Sequence, residues 1–297
     1  LKAFLCRAPF VCVFKIIAQP ERISPMEFVD KAFARRLEAT EEVPQVHHAR
    51  LYQKLYPEVN AAAEEICGGH MVFAGVGSPI GRAVGLGFDG PVSSADFDRL
   101  EQFYRSRGAA AQVDVCPLTD PALIEMLKTR GYSMTELNNV LDHGLQPNEP
   151  TPEIPEGVNI WPADYEQAGI AADISSRSFF PEGNPPEEFH RWIGPMYKYP
   201  GVVTLLAWAD EKPVASAAGL IIAEHNVFAM FGDATLPEFR RRGIQSALVQ
   251  ARLRAAEEAG LDLAAVVTQG GSTSQRNYER MGFRVAYSKA TLVKTFE

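Results

Sequence analysis

The sequence predicts an α/β (α+β) chain built as two tandem units, and three observations carry that expectation. From Phe228 onward the residues read strand, turn, helix, strand, short helix, strand. The layout that ends the first half, LIEMLKTRGYSMTELNNVL, returns at the end of the second as NYERMGFRVAYSKATLV. Each is a short helix, a Gly-aromatic pair (Gly131-Tyr132 and Gly282-Phe283) and a long closing strand, with strand, helix, strand upstream. Between the halves runs QPNEPTPEIPEG, whose four prolines and three glutamates describe a semi-extended linker rather than a packed element.

A length of 297 residues suits two domains of ordinary size, and 46% hydrophobic with 22% charged residues describes a globular chain with ample core. The formal charge of −8 excludes a non-specific nucleic-acid binder, which needs a basic face, but leaves room for a local basic patch. Cys6, Cys12, Cys67 and Cys116 show no metal or redox spacing, and His47-His48 has no carboxylate or cysteine cluster beside it. Reduced thiols, a cytoplasmic location and no metal site are the expectation. Residues 1–25 are apolar but broken by Arg7 and Lys15, too short for a membrane span, and read as an extension outside the fold.

In order, the pattern is helical from Met26 to about Ile66, with Phe28, Ala32, Phe33 and Leu37 on one face, then Leu51 and Leu55. Pro57 interrupts, and a further helix is expected to end near Gly68-Gly69. Strands follow at 70–76 and 83–88, then a helix capped by Ser93 or Ser94, a strand at 111–116, a helix at 121–129 and a strand at 132–141. The second half opens with a strand at 158–161, helices at 164–180 and 187–198, and strands at 202–209, 214–222 and 227–235.

The centre of the second half is FGDATLPEFRRRGIQSALVQ. Its strand ends at Leu236-Pro237, three arginines follow, and a helix opens at Gly243 with Ile244, Ala247, Leu248, Ala251 and Ala255 on its buried face. The first N–H groups of a helix lack internal partners and point out of its positive end, so they attract an anion. Gly243 lets the backbone approach that anion, and Arg240, Arg241 and Arg242 add charge. The matching region of the first half, LGFDGPVSSADF, has no such turn; Asp89 and Asp96 stand there instead and would repel an anion.

These residues resemble the GNAT superfamily of acyl-CoA N-acyltransferases. Arg240 to Gln245 match its R/Q-x-x-G-x-G/A turn, with Gln245 in place of the usual Gly or Ala, and Tyr278 to Phe283 match its Tyr-x-x-x-Gly-Phe helix end. The resemblance implies two GNAT-like domains, each a mixed, mostly antiparallel twisted sheet flanked by helices. Residues 26–146 would be a degenerate copy without the cofactor turn, 147–157 a linker, and 158–297 the N-acetyltransferase domain. It further implies acetyl-CoA as cofactor. Pantetheine would run along Asp233, Ala234, Thr235 and Leu236, the pyrophosphate would lie on Arg241 to Ser246 with Ala247 behind it, and Tyr278 would protonate the leaving sulfur. Gly271 stands where the family often has an asparagine, with Ser274 as the replacement donor, and Asp233 is the only carboxylate near the reacting edge to act as base. Phe179, Phe180, Glu182 and Asn184 are the candidate acceptor contacts.

The activity implied is acetyl transfer to a primary amine of a small molecule or peptide by direct attack, in a monomer or homodimer without nucleic acid or membrane. A non-catalytic acyl-CoA-binding sensor or scaffold is the alternative, to which Gly271 and the missing strand glutamate point. A transferase taking an aminoacylated RNA donor sits poorly with the acidic balance. The tandem layout is also similar to the mycothiol-synthase branch, a substrate analogy only.

Overall fold

The computed structural model describes residues 28–180 and 185–296; the 1–25 extension, Glu182 and Asn184 lie outside them. The first half runs α1 (Lys31–Leu55), β1 (Ala62–Ile66), β2 (Gly69–Phe73), β3 (Ala83–Val84), α2 (Ser94–Arg105), β4 (Ala111–Val115), α3 (Pro121–Thr129) and β5 (Ser133–Gly144). The second runs β6 (Val158–Pro162), α4 (Ala168–Phe179), α5 (Glu187–Ile193), β7 (Val202–Ala209), β8 (Lys212–Ile222), β9 (Val227–Thr235), α6 (Ile244–Glu258), β10 (Leu263–Gln269), α7 (Thr273–Arg280) and β11 (Arg284–Lys294). The β-α-α-β-β-β-α-β-α-β order read from the sequence of the second half is the order observed.

All these strands join one 11-stranded sheet in the order β1-β2-β3-β4-β11-β5-β10-β9-β8-β7-β6. The two closing strands trade places. β5, which ends the first half, pairs antiparallel with β10 from Leu263↔Gly144 to Gln269↔Asn138. β11, which ends the chain, pairs antiparallel with β5 on one side and with β4 on the other. Most pairs in the sheet are antiparallel; β9–β10 and β3–β4 are parallel. The exchange carries the core with it. Leu141 of β5 is fully buried among Phe228, Met230, Val249 and Phe283 of the second half. A buried residue of that size contributes roughly 1.5–3 kcal/mol, so each half is stabilised by side chains of the other.

Three stretches of the first half depart from the sequence expectation, the shortest being the strand expected at 83–88, which ends at Val84 where Gly85 turns with φ of 72°. Residues 60–69 form no helix: a single 3-10 turn at Pro57–Val59 leads into the β1–β2 hairpin. Cys67 and Gly68 have φ of 49° and 81°, and two successive left-handed residues close a tight hairpin, so the ladder outweighs the helix preference of Ala61 to Glu65. On α1, Phe28 precedes the helix and is 85% exposed, and Ala32 is exposed, whereas Phe33, Ala34, Leu37 and Ala49 are buried. The helix spans both halves instead of capping the first. The Arg36 guanidinium donates to the carbonyls of His225 (2.9 Å) and Asn226 (2.7 Å) in the second half. Arg35 donates to the Gly68 carbonyl (3.1 Å) in the first.

The segment 146–157 has no regular structure, but it is packed, contrary to expectation. Its N–H groups need acceptors, and α6 supplies them. The Glu257 carboxylate accepts from Asn148 (2.6 Å) and Glu149 (3.2 Å), and Gln250 accepts from Glu153 (3.0 Å). Among the described residues no helix is long and apolar enough to cross a membrane.

Candidate active site

The site begins where two parallel strands part. β9 and β10 pair from Val227–Leu263 only as far as Met230–Val266. Beyond that point β9 stays on β8, through Ala218↔Phe231, Ser216↔Ala234 and Ala215↔Thr235, while β10 stays on β5. A wedge therefore opens between 231–235 and 267–269, and it leaves the β10-facing edge of β9 free. β9 carries one extra residue against β8 between Phe231 and Ala234, a bulge centred on Gly232. Gly232 has φ of 69°, and a Cβ there would stand 2.9 Å from the Tyr197 hydroxyl oxygen, so no larger residue fits.

The bulge delivers Asp233 to a buried polar group that sequence reading missed. Arg252 of α6 is 0% exposed and grips Asp233 with both terminal nitrogens, at 2.5 and 3.1 Å. Tyr278 of α7, also 0% exposed, donates its hydroxyl to the same carboxylate at 2.7 Å and accepts from Arg252 at 3.1 Å. Arg252 further donates to the Ala218 carbonyl at 2.9 Å. Burial pushes the Tyr278 phenol well above its usual range; the guanidinium pulls it down and the carboxylate pushes it up, leaving it raised. Burial also works against the charge on Arg252, but the Asp233 carboxylate wins and holds the guanidinium ionised. The buried face of α6 is accordingly turned from the expected one: Ala251 and Ala255 are half-buried, while Arg252, Leu253 and Ala256 are buried. Arg252 repeats at four-residue spacing after Ile244 and Leu248, a signal the sequence did contain.

The anion turn is formed as its residues suggest. Pro237–Phe239 make one 3-10 turn, Arg241 has φ of 63°, and Gly243 with φ of 78° is the N-cap of α6 without a side-chain cap. Arg241, Arg242, Gly243 and Ser246 are exposed, while Ile244 and Ala247 anchor the helix start in the core. Arg240 is engaged elsewhere, donating to the carbonyls of Thr235 and Ser178, both at 3.0 Å. The Gln245 side chain is held by Asn277 of α7 at 2.6 Å, so it lies to the side of the turn. A pyrophosphate fits this cradle: bare helical N–H groups, a glycine at the approach and two exposed guanidinium groups. The corresponding helix start of the first half is closed. Ser93 and Asp96 cap each other there, with Asp96 N–H donating to the Ser93 hydroxyl at 3.2 Å and Ser93 N–H to the Asp96 carboxylate at 2.9 Å.

A cavity of about 380 Å³ fills the wedge. Asp233, Ser274 and Tyr278 line it, together with Gly232, Thr268 and Gln269. Its far wall is α1, through Thr40, Glu41, Pro44, Gln45 and His48, with Pro79, Ile80 and Arg82 beside it. Sequence reading missed that wall, because it belongs to the half that lacks the turn. Of the expected acceptor contacts, Phe179 and Phe180 pack on Phe189, with ring centroids 6.2 and 4.9 Å apart, and are not among the residues that line the cavity. Ala234 and Leu236 are buried and Thr235 half-buried along the β9 edge. Gly271 is held by its N–H, which donates to Gln275 at 2.8 Å.

Residues 171–283 match the acetyltransferase (GNAT) family. No curated protein matches the chain in sequence. Among solved structures it is similar to a GCN5-related N-acetyltransferase from Kribbella flavida, with TM-score 0.60 and 20% identity over 84% of this chain and 96% of that one. A tandem GNAT protein from the clavulanic acid biosynthesis pathway aligns with TM-score 0.58 and 12% identity over 88% of this chain and 94% of the other. A putative GNAT acetyltransferase from Novosphingobium aromaticivorans gives 0.52 and 15% over 86% and 99%. At these identities the structures speak for the fold, and the family match speaks for the second half. The chain thus has the α+β fold of tandem GNAT proteins, and its residues 171–283 match the acetyltransferase (GNAT) family.

Proposed function

We propose that the chain moves an acetyl group from acetyl-CoA to a primary amine by direct attack in a ternary complex. The observation that carries this reading is that β9, whose free edge borders the cavity lined by Tyr278, leads through one short turn into an uncapped helix N-terminus beside exposed arginines. Acetyl-CoA bound there supplies the acyl carbon and the sulfur leaving group. In the net reaction an N–C bond forms, the C–S bond breaks, and one amine proton ends on sulfur. Arg241, Arg242 and the N–H groups at 244–246 would hold the pyrophosphate, and the free edge of β9 would hold the pantetheine arm. Tyr278 stays a neutral phenol at neutral pH, which keeps it a proton donor. Arg252, 3.1 Å from its oxygen, offsets the charge left when the proton leaves. Asp233 serves in this reading as the acceptor that fixes Arg252 and Tyr278. The 26–146 region is then a GNAT-like copy whose helix start is closed by its own capping box.

One observation favours the alternative, an acyl-CoA-binding sensor without turnover: among the described residues the one carboxylate on the β9 edge, Asp233, is committed to a buried arginine. A thermal-shift titration with acetyl-CoA followed by a thiol-release assay separates the two. At a hundredfold excess over Kd, binding adds about 2.7 kcal/mol, or a rise on the order of 5–10 °C for a chain of this size. Gly243→Glu and the milder Arg242→Glu should abolish or weaken the rise. Binding with no thiol release for any amine supports the sensor. No rise at millimolar acetyl-CoA refutes both.

A further inference from the structure

The wall that α1 lends to the cavity has a chemistry of its own. Thr40, Glu41, Pro44, Gln45 and His48 line the cavity at the spacing of one helical face. Pro44 has no N–H, so the Thr40 carbonyl on that face loses its helical donor. His48 is 1% exposed and neither ring nitrogen has a partner; Thr268, 6% exposed and across the wedge, has an unpartnered hydroxyl. Buried polar atoms left open around one cavity are completed by water or by a polar ligand that displaces it.

The charge at this wall is negative. Glu41 belongs to a connected group in which Lys289 pairs with Glu38 (3.1 Å), Glu41 (2.5 Å) and Asp114 (3.8 Å), and Arg82 pairs with Asp114 (3.4 Å) and Glu136 (3.1 Å). Two cations stand against four carboxylates. Burial raises the Glu38 carboxyl, and with Glu38 counted as neutral the carboxylates still lead by three to two. Burial also pushes His48 down to about 4, so it adds no positive charge at neutral pH. Arg82, which lines the cavity, is counted in that balance, its charge met by Asp114 and Glu136. A volume of about 380 Å³ lies at the small end of ligand cavities and suits a compact molecule over a peptide.

We propose that the acceptor is a small molecule with two cationic groups, a compact diamine being the simplest, whose distal ammonium sits against Glu41 on α1 while its other amino group faces Tyr278. This rests on the acetyltransferase reading and names its substrate class. The first half, without a cofactor turn of its own, then acts as the specificity element of the second.

The test is a calorimetric titration of 1,4-diaminobutane, butylamine and 4-aminobutanoate into the full chain saturated with coenzyme A. The diamine should bind at least ten times more tightly than butylamine, and 4-aminobutanoate most weakly. Glu41→Gln should weaken the diamine about tenfold and leave butylamine unchanged, which also reports that the variant is folded. Should Glu41→Gln fail to fold without its Lys289 pairing, Gln45→Lys puts a cation on the same face and should give the same loss. Equal binding of diamine and butylamine, preference for 4-aminobutanoate, or diamine binding indifferent to these variants overturns the inference while leaving acetyl transfer standing. If coenzyme A itself does not bind, the acetyltransferase reading falls, and the same titration into the unliganded chain still decides whether the wall selects a second cation.

Discussion

Replacing Arg252 with methionine is the most informative single perturbation of this fold. Arg252 is 0% exposed, Tyr278 is 0% exposed and the Asp233 side chain is 14% exposed, so solvent offers little compensation. Arg252→Met would leave the carboxylate with Tyr278 alone and strip the Ala218 carbonyl of its 2.9 Å donor. Removing one partner of a buried pair costs about 3–5 kcal/mol, because the other charge is left uncompensated. For a chain of this size that is a fall in Tm on the order of 10 °C. Asp233→Asn should cost about as much, since it orphans the guanidinium, and the double variant should recover at least ~2 kcal/mol of the summed loss. Urea unfolding followed by tryptophan fluorescence, at unchanged m-value, measures all four corners of the cycle. Single losses that add within about 0.5 kcal/mol, or an Arg252→Met cost below ~1 kcal/mol, would refute the claim that bulge, arginine and tyrosine form one unit.

The remaining predictions concern the same cavity. Tyr278→Phe should lower thiol release about a hundredfold and stability by roughly 2–3 kcal/mol, since the hydroxyl gives up hydrogen bonds to both Asp233 and Arg252. It should leave the acetyl-CoA thermal shift intact, and a rate within twofold of the parent chain would remove Tyr278 from the chemistry. His48 titrates near 4 in the folded chain against 6.5 in the ordinary side chain. The unfolded chain therefore binds more protons between those values, and stability rises with pH across that window. The contribution is complete above about pH 6.5 and is lost as pH falls toward 4, amounting to roughly 3 kcal/mol. His48→Phe, which keeps a ring beside Tyr52, should flatten the change in urea midpoint between pH 7 and 4.5; parallel curves for the two proteins would contradict it.

Much of this was legible along the chain because it is local. Val202–Ala209 and Val227–Thr235 emerge as strands with the ends their residues suggest, since a β-rich run between turn signals needs no distant information. The anion turn is equally local: glycine tolerates the left-handed backbone that opens α6, and the arginines stand beside it. Residues 60–69 went the other way, because alanine and glutamate prefer helix only weakly and a ladder with β2 outweighs that preference. Arg252 looked like one more polar residue of an amphipathic helix, although its spacing from Ile244 and Leu248 set it on the buried face. What made it a structural ion was Asp233, 19 residues away and turned inward by a bulge.

The sequence by itself determined the order of elements in the second half, the anion turn and the family resemblance, each a matter of spacing within a few tens of residues. Only the tertiary structure decided that β5 and β11 exchange places and that α1 walls the other half's wedge. Both depend on pairing segments more than a hundred residues apart. The hydrogen bonds of a ladder carry no address, and either closing strand offers the same backbone groups to β10. The choice falls to side chains that become neighbours only on folding, such as Leu141 against Phe228 and Phe283, and Glu38 and Glu41 against Lys289.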